Sequence, residues 1–222
     1  MLSIVLPVLN EGEKLQEHLH ALQVFRDSGC ELIGVDGGST DHSFKLLQQY
    51  CDNAIVTTAG RAQQMNAGAQ LAQGGRLLFL HADTYLPKNT QTVVEQALRG
   101  ADWGRFDVAL DAEGVFFQVI GGLMNWRSRW TKVCTGDQAL FFNTAFFHAL
   151  KGYPEIPLME DVAISKLARS KGVFAALNAQ VITSARRWQN NGVLKTIVLM
   201  WELRLRYFLG QSPDDLLQRY YG

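Results

Sequence analysis

The sequence predicts an α/β fold with a mostly parallel central sheet flanked by helices and followed by C-terminal helices. Three observations predict it. Through the first hundred residues, short apolar runs alternate with segments whose apolar residues recur at helical spacing. Two of those runs end in carboxylates and small residues, Asp36-Gly37-Gly38-Ser39-Thr40-Asp41 and His81-Ala82-Asp83-Thr84. No repeat, low-complexity tract or Pro/Ser-rich linker divides the 222 residues, so a single domain is expected.

Residues 2–8 read as the first strand, and Leu15, Leu19 and Leu22 mark the helix behind it. Residues 31–35 form the second strand; Thr40 or Asp41 can cap the next helix, whose apolar side carries Phe44 and Leu47. A short third strand is expected at 54–57, then a helix over 61–73 with Met65, Ala69 and Ala72 on one side. The apolar run at 77–80 is a buried strand that delivers His81 and Asp83 to its carboxyl edge, where open α/β sheets bind ligands. Repeated βα units imply parallel strands covered by helices on both faces.

Beyond residue 100 the rhythm loosens. Strands are expected at 103–110 and 139–142, with late strands at 173–176 and 180–183. A helix over 115–126 should turn Phe116, Val119, Ile120 and Leu123 inward, and another covers 159–170. Leu194, Ile197, Trp201, Leu205 and Phe208 then form one apolar stripe, to be covered by the chain's own domain, a second subunit or a membrane surface. Glu202 and Arg206, four apart, suit a solvated ion pair.

Bulk composition excludes several classes. Lys+Arg and Asp+Glu number 21 each, so no global field draws the chain to nucleic acid. Pro7, Asn10 and Glu11 interrupt the N-terminal apolar run, which argues against a secretory leader, and the run at 196–201 is too short to span a bilayer. Cys30, Cys51 and Cys134 are widely separated and include no Cys-x-x-Cys pair, as expected of reduced thiols in a cytoplasmic protein. Both Gly-x-Gly-x-x-Gly and Gly-x-x-x-x-Gly-Lys-Ser/Thr are missing, which disfavours dinucleotide-binding and P-loop readings.

The polar residues at the strand ends suit a nucleotide and its metal. Pro7, Asn10 and Glu11 can hold a turn against a base or ribose, although Asn10 as a helix cap explains them equally well. Asp36 can accept from a base N–H or a ribose hydroxyl, while Gly37 and Gly38 let a ligand approach the backbone. Arg61 can pair with a diphosphate, and Asn66 can bond a base or hold its loop. Asp83 leads as ligand for Mn²⁺ or Mg²⁺, since a diphosphate can supply the remaining oxygens. His81 can ligate the metal, bond the donor or orient Asp83. Glu160 and Asp161 offer a base and its support, or a helix cap, and Arg187 offers a further guanidinium beside Trp188.

Together these residues resemble the family 2 glycosyltransferases with a GT-A fold. The resemblance rests on Ser3-Ile4-Val5-Leu6-Pro7-Val8-Leu9-Asn10-Glu11, Val35 to Asp41, Asn66-Ala67-Gly68, Leu80-His81-Ala82-Asp83 and Glu160-Asp161. The Asp-Gly-Gly-Ser and His-Ala-Asp variants are similar to a small bacterial subgroup found near radical-SAM or selenium-linked genes. The resemblance implies a nucleotide-diphospho-sugar donor of UDP or GDP type, a divalent metal and inversion at the anomeric carbon. Pro7, Glu11 and Asp36 would line the nucleoside pocket, with Asn10, Gly38, Arg61, Asn66, His81 and Arg187 as further donor contacts. Asp83 would hold the metal and Asp161 would be the base, supported by Glu160. Ser184 stands where processive members have Gln, so a small-molecule or lipid-linked hydroxyl acceptor is expected instead of a growing polysaccharide. Residues 1–100 would bind the donor, 101–190 the acceptor, and 191–222 would form a helical segment available for membrane contact at the inner face or a homodimer. The rivals are a sugar-1-phosphate nucleotidyltransferase, whose Gly-rich Arg/Lys loop is missing here, and a non-catalytic nucleotide-sugar-binding protein.

Overall fold

In the computed structural model the first half runs β1 (Leu2–Val8), α1 (Gly12–Asp27), β2 (Glu31–Asp36), α2 (Ser43–Tyr50), β3 (Asn53–Val56), α3 (Arg61–Leu71) and β4 (Arg76–Phe79). Residues 1–221 are described; Gly222 and the side chains of Glu13, Arg187, Asn190, Asn191, Val193, Leu194 and Tyr221 lie outside the described residues. β1 pairs in parallel with β2 on one side and β4 on the other, and β2 pairs in parallel with β3. Both faces of β1 are covered, which is why it reads as a continuous apolar run. Ile4, Leu6 and Val8 pack with Leu15 and Leu19 of α1 on one face. Val5 packs with Met65 and Ala69 of α3 on the other. Gly68 permits that second contact, because a Cβ there would fall 2.4 Å from Val5 Cγ1.

The second half adds β5 (Thr84–Tyr85), α4 (Thr90–Ala97), β6 (Trp103–Asp111), α5 (Val115–Thr131), β7 (Phe141–Asn143), α6 (Thr144–Ala149) and α7 (Glu160–Lys171). It closes with β8 (Phe174–Ser184), α8 (Arg186–Asn191), α9 (Val193–Phe208) and α10 (Pro213–Tyr221). All eight strands join one sheet of order β3-β2-β1-β4-β7-β6-β8-β5. The pairings β4–β7, β6–β7 and β5–β8 are antiparallel and the rest parallel, so the sheet is mixed but mostly parallel, as expected. The two late strands expected at 173–176 and 180–183 are one strand, β8, whose register against β6 shifts between Arg105 and Asp107. Arg105 is fully buried at this irregularity, where it pairs with Asp107 and donates to Asn125 O at 2.9 Å.

One expectation about helix faces is corrected and another is narrowed. α5 turns Phe116, Val119 and Leu123 to solvent and keeps Ile120 inside. Its packed side is polar: Val108 N donates to Asn125 Oδ1 at 2.8 Å, and Asn125 Nδ2 donates to Val108 O at 3.0 Å. Backbone groups of β6 buried beside the register shift need partners, and Asn125 supplies them at the cost of turning the apolar residues outward. The stripe on α9 is likewise not covered by the chain's own domain, since Trp201, Leu205 and Phe208 are exposed. Leu203 makes the packing contact instead, with Val133, Met159, Val162 and Leu216. The Leu194 side chain of that stripe lies outside the described residues. The expected Glu202–Arg206 pair forms at 2.8 Å, and Arg219 joins it at 2.6 Å.

Candidate active site

A cleft of about 820 Å³ opens where the chain leaves β1 and β4. β1 has β2 on one side and β4 on the other, so the chain departs in opposite directions there and leaves a crevice at the carboxyl edge. Pro7, Glu11, Arg61, Gln64, His81 and Asp83 line the cleft from the first half of the chain. Asp137, Glu160, Asp161, Trp188, Arg204 and Tyr220 line it from the second.

Asp161 is held from two sides. Gly136 N donates to its Oδ2 at 2.8 Å and Val162 N to its Oδ1 at 2.7 Å. Two backbone donors fix the carboxylate's direction and leave each oxygen further accepting capacity. Glu160, beside it at the start of α7, is 5% exposed. Burial, and then the charge of Asp161, push its carboxyl up to about 7. The pair therefore joins a side chain anchored by two backbone donors to a buried neighbour whose carboxyl is raised.

Asp83 is the less engaged carboxylate: Thr84 Oγ1 approaches its Oδ1 at 3.5 Å, the limit of a hydrogen bond. Burial and then the negative charge of Asp83 raise the Glu11 carboxyl, so the two acids lie near one another in the cleft. Among the described residues no group of three or more His, Cys, Asp or Glu side chains can cage a metal ion. The donor set present suits a hard divalent ion shared with a diphosphate, which needs few protein oxygens. His81 Nδ1 lies 3.6 Å from Asp137 Oδ1, a pairing that directs the ring toward the turn at Gly136–Gln138.

Asp36, Gly38, Asn10 and Asn66 are not among the residues that line the cleft. Asp36, 1% exposed, accepts from Gly38 N at 2.9 Å, Ser39 N at 2.8 Å and the Ser39 hydroxyl, so its oxygens hold its own loop. Gly38 permits that loop with φ +86°. Asn10 is exposed with φ 53°, and accepts from Thr40 N at 2.8 Å, tying the loop after β1 to the loop after β2. Asn66 exchanges two 2.8 Å hydrogen bonds with the backbone of Tyr153, the loop-holding one of its two expected roles. The Arg187 side chain lies outside the described residues.

Sequence reasoning missed Gln64 and Arg204. Gln64 Nε2 donates to Val8 O at 2.8 Å and Val35 O at 2.9 Å, joining the ends of β1 and β2 beside the cleft. Arg204 enters from α9 on the same flank as Met200 and Thr196, four and eight residues back. That i, i+4, i+8 row was the available signal, overshadowed by the stronger apolar stripe. Burial lowers the Arg204 guanidinium, and the charges of Asp161 and Asp137 act against that. The three cysteines are free and buried; burial pushes both Cys51 and Cys134 up to about 12, so neither is poised as a nucleophile.

Comparison with known proteins fits this geometry. The profile described as glycosyl transferase family 2 matches residues 3–148, which takes in the ends of β1, β2 and β4. The chain belongs to glycosyl transferase family 2. A PGL/p-HBAD biosynthesis glycosyltransferase of Mycobacterium bovis is 37% identical to this family 2 chain over 93 residues, 39% of the chain and 36% of that relative. The chain thus matches little more than a third of that relative's length. The fold is GT-A: S. aureus TarS 1-349 in complex with UDP-GlcNAc superposes with a TM-score of 0.64 at 18% identity, over 82% of this chain and 58% of that one. Mannosyltransferase PcManGT from Pyrobaculum calidifontis, in complex with GDP-Man and Mn2+, gives 0.61 at 17% identity, over 82% and 56%.

Proposed function

We propose that this family 2 glycosyltransferase moves a sugar from a UDP- or GDP-type donor to a hydroxyl acceptor with inversion at the anomeric carbon. The observation that carries the reading is the anchored Asp161 in the same cleft as Asp83 at the end of β4. The donor would lie over Pro7, Glu11 and Arg61, with Gln64 and the Asp36 loop shaping the floor beneath it. Asp161 takes the proton of the acceptor hydroxyl while that oxygen forms its bond to the anomeric carbon. The bond from that carbon to the diphosphate breaks on the opposite face, and the nucleoside diphosphate leaves. Burial raises the Glu160 carboxyl to about 7, which lessens the negative charge beside Asp161. Arg61 and Arg204 offer positive charge toward the leaving diphosphate. A divalent ion, Mn²⁺ or Mg²⁺, supplies further charge neutralisation when bound, and Asp83 is the residue that would hold it. The solved complexes with UDP-GlcNAc and with GDP-Man and Mn2+ support this reading through their shared fold.

The test is direct. The chain is incubated with UDP- and GDP-sugars, Mn²⁺ and a panel of hydroxyl acceptors, and nucleoside diphosphate release is followed. Acceptor-stimulated release is expected. Pyrophosphate formed from a nucleoside triphosphate and a sugar phosphate would instead assign a nucleotidyltransferase. Donor binding without release under any condition would leave a binding protein.

A further inference from the structure

The Asp161 carboxylate owes one of its two anchors to the short turn at Gly136–Gln138, and that turn is itself tied down. Gln138, fully buried, fixes it from below by donating through Nε2 to Ser128 Oγ at 2.9 Å. Just ahead of it, Cys134 N donates to Ser165 Oγ at 3.1 Å, and that hydroxyl donates to Asp161 O at 2.7 Å. Turn and carboxylate thus share one small network. Gly136, whose N–H meets Asp161 Oδ2, is its link on the cleft side.

His81 meets that link from the end of β4. A Cβ on Gly136 would fall 2.3 Å from His81 Cε1 and 2.4 Å from Nε2, so the imidazole fills the space a side chain would take. Gly136 is not at a positive φ, so backbone freedom does not account for the glycine; the ring against it does. Asp137, the next residue of the turn, places its Oδ1 3.6 Å from Nδ1 and draws the ring onto the turn. The imidazole also stands on a rigid stem, since Leu80 N donates to Val5 O at 3.0 Å and Thr84 N to His81 O at 3.1 Å. Its side chain is 13% exposed, which leaves little room to swing.

We propose that His81, seated by Asp137, is a positioning residue for Asp161: its ring keeps Gly136 where the Gly136 N–H meets the carboxylate. The inference rests on the base role given to Asp161 above and adds a residue to it. A reacting group displaced by about 1 Å can cost about 10²-fold in rate, so a prop that acts through Gly136 has a kinetic signature. That signature falls on the chemical step and spares donor affinity, whereas a His81 that bonds donor or metal would govern binding.

The full chain, carrying isotope-labelled glycine, is compared by NMR with His81→Ala, His81→Phe and Asp137→Ala. Without ligands, hydrogen exchange at the Gly136 amide is expected to quicken about tenfold in His81→Ala and about threefold in Asp137→Ala. His81→Phe keeps a flat ring against Gly136 and should hold exchange within about twofold of wild type. Gly68, packed in α3 against Val5, is the internal reference and should keep its rate in all three. In the transfer assay His81→Ala should lose about tenfold in kcat, while the Kd for nucleoside diphosphate with Mn²⁺ stays within about twofold. Asp137→Ala should cost little more in the His81→Ala background, because it acts through the ring. Unchanged Gly136 exchange in His81→Ala overturns the proposal, as does equal quickening at Gly136 and Gly68. A Kd that weakens as far as kcat falls overturns it in favour of a donor or metal contact. If the wild type turns over no donor with any acceptor, the base role fails even where Gly136 exchange quickens, so the two failures read differently.

Discussion

At the residue scale, the cleft turns on which carboxylates are spoken for. Asp161→Asn keeps the size of the side chain and one carbonyl oxygen for Gly136 N or Val162 N, but removes the proton acceptor. Transfer should fall by about 10²–10⁴-fold while donor affinity by calorimetry stays within about twofold. Asp83→Asn should do the reverse at equilibrium: Mn²⁺ should no longer tighten nucleotide-diphosphate binding, and an unchanged metal response would remove Asp83 from that role. Glu160 carries a pH signature. Its carboxyl has an ordinary value of 4.5 and sits at about 7 in the fold. The native state therefore keeps a proton that the unfolded chain gives up, so this group's contribution is complete below about pH 4.5 and is lost as pH rises through about 7. Glu160→Gln cannot ionise and lacks that loss. Melting curves should show the wild type falling below the variant between pH 5 and pH 8, with roughly 2–4 °C for each kcal/mol.

At the element scale, α9 separates burial from apolar character. Leu203 is fully buried against Val133, Val162 and Leu216, whereas Trp201, two residues earlier, is 71% exposed. Leu203→Ala should cost about 2–5 kcal/mol by denaturant unfolding, and Trp201→Ala within about 0.5 kcal/mol. A larger loss at Trp201 would mean that its face is covered in solution. The strands of the first half were legible because they are buried on both faces, so an apolar run and a buried strand coincide in β1, β2 and β4. The inward face of α5 was misread for the converse reason. Its partner surface is the backbone of β6, which takes Asn125 and the small Gly121 instead of the larger apolar residues.

At the scale of the whole molecule, the cleft exists because distant segments are pinned together. Asn66 reaches Tyr153, 87 residues away, with two hydrogen bonds, and Gly136 reaches Asp161 across 25. Asn66→Ala would strand an N–H and a carbonyl of the loop before α7. It should cost about 1–3 kcal/mol and loosen the segment that carries Glu160 and Asp161, read as faster hydrogen exchange at residues 152–161. One sheet runs through both halves, with β7 paired to β4 on one side and β6 on the other, so both sides of the cleft share a frame. No helix among the described residues is long and apolar enough to cross a membrane.

The sequence by itself determined the class of fold, and it singled out the strand ends at the cleft and three carboxylates that line it, Asp83, Glu160 and Asp161. These are local properties: burial writes apolar runs, turns need glycine, and sites need polar residues where strands stop. Tertiary structure alone decided that Asp36 serves its own loop, that Asn66 spans two halves, and that Arg204 enters the cleft from α9. It also decided that two apolar helix sides face water. A side chain's type says what it can bond, but its partner is set by which backbone arrives opposite it, and that arrival is a property of the packed sheet.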